Sequence, residues 1–184
     1  MHETFSKTEN KVTDFKDLIF QLPQLDRINE LVPKSYTASF NGRPVEVHFS
    51  SYYVADRVPC YSTNIGIYHF SSGIGARIYI QIEKQVNGYL GTTYVNNYDS
   101  SPELMNAFVL KGAGRALWEV SRQIMQQYAD RLGDSISHRV TRQPSNGLDN
   151  AKWNELFYPL LEKNHYVRVE ADGSIWEKIY YPQK

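Results

Sequence analysis

The segment Lys111-Gly112-Ala113-Gly114-Arg115-Ala116-Leu117 holds the residue types that most directly suggest chemistry. Small side chains at a helix start leave backbone N–H groups uncovered, so an anion can approach them, and the helix dipole favours its negative charge. Lys111 and Arg115 add cations beside that position. A phosphate is the ligand such a start suits. The same glycines also suit close packing of a helix against its neighbour, and local spacing leaves both open.

The other candidates are single residues or loose groups. His138 could act as a base or touch a substrate, since imidazole titrates near neutral pH; a buried, hydrogen-bonded histidine is the structural alternative. Arg139, Arg142 and Gln143 flank it and suit either an acidic or nucleotide-like acceptor or a solvated loop. Glu83 lies on the strand before Tyr89–Val95 and Asp99 just beyond it, and either carboxylate suits a general base or an ordinary surface charge. Tyr52, Tyr53, Tyr61 and Tyr68 suit an acceptor groove, although strand faces carry such residues routinely.

Several chemistries are disfavoured. No Gly-x-x-x-x-Gly-Lys-Ser/Thr run is present, so a P-loop is not expected, and Ser137 lacks the Gly-x-Ser-x-Gly context of a hydrolase elbow. The five histidines have no close i, i+4 pairing, so no helical zinc site is expected. Cys60 is the single cysteine and allows neither an intrachain disulfide nor a cysteine metal cluster.

The elements that must position these residues can be read from periodicity. Phe15, Leu18, Ile19 and Phe20 form one apolar group and Leu25, Ile28 and Leu31 another, with Pro23 between, which predicts two short helices over 14–31. Alternation then predicts an antiparallel meander of four or five strands. Tyr36, Ala38 and Phe40 lead through Asn41-Gly42 to Val45, Val47 and Phe49. Ile65 and Ile67, then Ile78, Ile80 and Ile82, carry the next strand faces, with turns at Ser71-Ser72-Gly73 and Asn87-Gly88. Ser101-Pro102-Glu103 can start a helix.

Farther on, Ala113, Ala116, Leu117, Val120, Ile124 and Tyr128 form a helical stripe that stops near Gly133. A short strand over 135–140, a loop at Pro144–Gly147, a helix over 149–163 and a hairpin around Asp172-Gly173 complete the chain. The expected fold is therefore α+β, with a mixed, mostly antiparallel sheet flanked by helices. Residues 1–12 are expected to be a flexible leader and 13–184 a single domain, a length that suits one.

In its order of elements, and most closely over Lys111–Tyr166, the chain resembles the GNAT superfamily of acyl-CoA-dependent N-acyltransferases. The resemblance implies that Lys111, Gly112, Ala113, Gly114 and Arg115 form the cradle for the CoA pyrophosphate. Val109 stands where that family has Gln or Arg. Asn154 matches an Asn near the start of the family's next helix, while Leu161 takes the position of the Tyr that protonates the departing thiolate. Tyr158 or Tyr166 is the substitute phenol. The resemblance also implies acetyl-CoA as co-substrate, Tyr89–Val95 as the strand that polarises the thioester, and Glu83, Asp99 or His138 as base. The alternative is a catalytically inactive relative, or an unrelated α+β protein-interaction module.

The formal net charge is zero and the pI is about 7.0, which argues against broad nucleic-acid binding. The amine acceptor, a small molecule, peptide or protein, is not legible, and a homodimer is one open state. With no signal-peptide or membrane-length apolar run, a cytoplasmic location and no membrane partner are expected.

Overall fold

The computed structural model describes residues 13–21, 30–55, 58–69, 75–98, 112–141, 150–170 and 175–183. Eight strands form one sheet: β1 (Glu30–Phe40), β2 (Arg43–Val54), β3 (Cys60–His69), β4 (Gly75–Lys84), β5 (Tyr89–Tyr98), β6 (Ile136–Thr141), β7 (Val167–Arg168) and β8 (Ile175–Tyr180). Among the described residues three helices accompany them: α1 (Phe15–Gln21), α2 (Ala113–Leu132) and α3 (Asn150–Lys163). The strand order is β1-β2-β3-β4-β5-β6-β8-β7. Every pairing is antiparallel except β5 with β6, which are parallel and joined through α2. The class is α+β, as the periodicity predicts.

Local chemistry accounts for the element ends. The Asp14 carboxylate accepts from the Lys16 N–H at 2.9 Å and caps α1. Asn41 and Gly42 take φ of 51° and 74°, the left-handed pair that a two-residue hairpin requires. Gly133 ends α2 at φ 64°. One expectation is corrected here: Leu31 belongs to β1, not to a helix, because Glu30 pairs with Ser51 of β2. The apolar spacing fits a helix, but strand pairing decides the outcome. The rest of that second helix lies outside the described residues, as do the leader 1–12, the helix start at Ser101, the loop at Pro144–Gly147, and the turns at Ser71 and Asp172.

The described helices pack on one face of the sheet. Register puts Val47, Ile67, Ala76 and then Phe49, Ile65, Ile78 side by side on that face, under the α2 stripe of Leu117, Val120, Ile124 and Tyr128. Each of the Val, Leu and Ile side chains among these, fully buried, contributes about 1.5–3 kcal/mol. The buried strip on α2 is wider than its spacing predicts, because Trp118, Ser121 and Met125 are covered too. Trp118 belongs to a second apolar cluster with Val140, Leu161, Tyr166 and Trp176, which ties α3 and β8 to the far side of α2. No helix among the described residues is long and apolar enough to cross a membrane.

Candidate functional site

The sheet divides at its parallel pair. β5 and β6 match residue for residue only from Tyr89↔Ile136 to Thr92↔Arg139. Beyond that point β5 stays with β4 as far as Tyr98↔Gly75, and β6 stays with β8 as far as Thr141↔Ile175. The two halves therefore part after Thr92 and Arg139, leaving a wedge between residues 93–98 and 140–141. Backbone groups on that edge of β5 lack ladder partners from β6.

A polar chain closes the apex. Thr93 Oγ1 lies 2.8 Å from His138 Nε2, and His138 Nδ1 lies 2.7 Å from the Tyr166 hydroxyl. The Tyr166 and Tyr180 hydroxyls are 3.0 Å apart. Every member can donate and accept, so the chain is satisfied in either direction. The Trp118 ring stacks on the imidazole at 5.5 Å between centroids. His138 has no exposed surface. Burial, reinforced by the nearby Arg122 and Lys178 charges, pushes its pKa down to about 3, so it is neutral at pH 7. Burial and Tyr180 push the Tyr166 hydroxyl up.

The α2 start lies at the same end of the sheet as the wedge. Gly112 shares a hollow with Phe40 and Asn41, and that hairpin end runs through Val45, His69 and Gly75 to Tyr98. Gly112 takes φ 90° with no side-chain cap on the helix, and a Cβ there would meet nothing within 4 Å. Among the described residues, no side chain caps the first N–H groups of α2. Ala113 is buried, Gly114 half-buried and Arg115 exposed, with Arg115 leaning toward Glu119 at 3.7 Å. Lys111 and Val109 lie outside the described residues, as do Asp99, Arg142 and Gln143.

The remaining candidates separate. His138 and Tyr166 are in direct contact. Tyr158 is half-buried against Trp176, 5.0 Å between rings, with the Arg168 guanidinium 4.8 Å from the Tyr158 centroid. Trp176 pairs with Val140, on the β6 side of the wedge. Leu161 is buried in the second cluster. Asn154 lies on α3, and its side chain is outside the described residues. Glu83 is elsewhere: it lies three residues along β4 from Ile80, the partner of Thr93, and on the other face. There it accepts from Gln81 at 2.9 Å.

The phenols split as well, with Tyr53 and Tyr61 on the helix-covered face and Tyr52 on the opposite one, where its hydroxyl approaches that of Tyr79. Sequence reasoning passed over Thr93, Trp118, Arg122, Lys178 and Tyr180. Of these, Lys178 alone carried a signal: its register with His138 puts it between the buried Trp176 and Tyr180 on one strand face. No family model, curated protein or solved structure matches the chain.

Proposed function

We propose that this protein is an acyl-CoA-dependent N-acyltransferase, taking acetyl from acetyl-CoA to an amine on a small molecule, peptide or protein. The observation that carries the reading is the parting of β5 and β6 at the sheet end where α2 begins on Gly112 without a side-chain cap. The pyrophosphate lies on Gly112–Arg115 under this reading, and the thioester enters the wedge. A carbonyl oxygen there accepts from β5 N–H groups beyond the β6 ladder, which stabilise the charge it gains during attack.

The free amine attacks the carbonyl carbon, forming the C–N bond. The C–S bond then breaks, the thiolate takes one proton, and the nitrogen loses one. Leu161 is buried and has no proton to give; Tyr158, half-buried on the β6 side, is the phenol assigned to the thiolate. The amine proton leaves by the Thr93–His138–Tyr166–Tyr180 chain, in which neutral His138 passes a proton without storing it. Replacing Tyr158 by Phe is expected to lower kcat by about 10²-fold with KM for acetyl-CoA nearly unchanged.

Calorimetric titration with acetyl-CoA tests the cradle. Saturable binding is expected, and Gly114→Trp should abolish it while circular dichroism shows an intact fold. No heat at millimolar acetyl-CoA would sink the reading. A second reading, a ligand-binding module without catalysis, is favoured by one observation: both nitrogens of His138 are already engaged in the core. A bound acetyl-CoA that is never turned over against an amine panel would select it.

A further inference from the structure

The cavity between α2, α3 and β8, which Arg115 of the proposed cradle borders, holds further cations that acyl transfer does not use. Its volume is about 420 Å³, within the range of roughly 300–1,000 Å³ typical of small-molecule sites. Arg122 enters from α2, Lys163 from the last turn of α3 and Lys178 from β8, while Leu160 and Tyr180 supply an apolar wall. The one carboxylate among its described lining residues, Glu119, is already held by Lys16 at 2.7 Å and Arg115 at 3.7 Å. Among the described residues, the positive charge of the other three has no carboxylate partner.

That charge is placed at some cost. Lys178 extends from the helix-covered face of β8, between the buried Trp176 and Tyr180. Its ammonium donates to the Asn164 carbonyl at 3.0 Å, a contact that leaves its charge unbalanced. Arg122 Nε is shut off from solvent with no hydrogen-bond partner. Burial and the Arg122 charge together push the Lys178 pKa down. Half-buried cations without a counter-charge are tolerated where a ligand supplies one.

We infer that this groove binds a small phosphate-bearing anion. A guanidinium offers two parallel donors to one phosphate, and two ammonium groups add point charges, a set that matches a dianion better than a single carboxylate. Lys163 is exposed at the rim, while Arg122 and Lys178 form the interior. The apolar wall suits the organic part of a phosphate ester.

Titration with inorganic phosphate at low ionic strength, followed by calorimetry, tests the site. Saturable binding is expected, weakened about tenfold in each of Arg122→Gln, Lys178→Met and Lys163→Gln, since a hydrogen bond to a charged group carries about that factor. Binding should also weaken as salt rises, and acetate should give no saturable heat. The rim variant Lys163→Gln keeps the test open if an interior variant does not fold. Gly114→Trp should lose acetyl-CoA while keeping phosphate binding, and Lys163→Gln should weaken phosphate binding while keeping acetyl-CoA, so each site stands or falls alone. Absence of saturable phosphate heat, or equal affinity in wild type and Lys163→Gln, would overturn the assignment.

Discussion

At the residue scale, His138 shows how a group that suits general-base chemistry by type is changed by its surroundings. Its imidazole is neutral in the fold, with a pKa near 3, but takes a proton below about 6.5 once the chain unfolds. The unfolded state therefore binds more protons throughout that interval, and stability falls as pH drops through it. The loss is about 1.4 kcal/mol per pH unit below 6.5. Between pH 6.5 and 4.5, above the range where most carboxylates titrate, His138→Gln should flatten this slope in urea unfolding. A slope unchanged by the substitution would contradict the buried neutral imidazole. For the same reason, the pH profile of any acyl transfer should lack a break near 6.5 that disappears with His138.

Glycines decide the element scale. Gly112 sits at φ 90° in open space, so Gly112→Ala meets no steric contact but forces an L residue into the left-handed region. It should cost about 1 kcal/mol. At Gly75 a Cβ would lie 2.0 Å from the Ile67 carbonyl oxygen, a backbone atom that cannot swing aside. Gly75→Ala should therefore cost more, about 1–3 kcal/mol, with the loss appearing where β3 and β4 pair. Comparing the two midpoints in urea checks the order; an equal or reversed ranking would mean that the β3–β4 contact relaxes cheaply. Asn41-Gly42 and Gly133 were legible in the sequence because their backbone angles demand those residue types. The strand character of Leu31 was not, because it depends on pairing with β2, which no local pattern records.

At the scale of the whole molecule, the strand succession, the α2 stripe and the glycine start could be read along the chain, whereas the site could not be assembled from it. Spacing put Glu83 beside the candidate strand, but register turns it to the opposite face. Conversely, Thr93, His138, Tyr166 and Tyr180 are scattered over four segments, and only the order β5-β6-β8 brings them into one hydrogen-bonded chain. The wedge is likewise a property of the sheet: it exists because β5 keeps β4 and β6 keeps β8 to their ends. That chain connects the wedge apex to Tyr180 on the wall of the cationic groove, so an anion bound there adjoins the proposed proton exit.

Amide hydrogen exchange with and without acetyl-CoA tests the central claim most directly. Added ligand should slow exchange at Ala113–Arg115 and along 93–96 of β5, leaving β1 and β2 unchanged. Binding that protects neither stretch would contradict the wedge and its helix start as the acyl-CoA site.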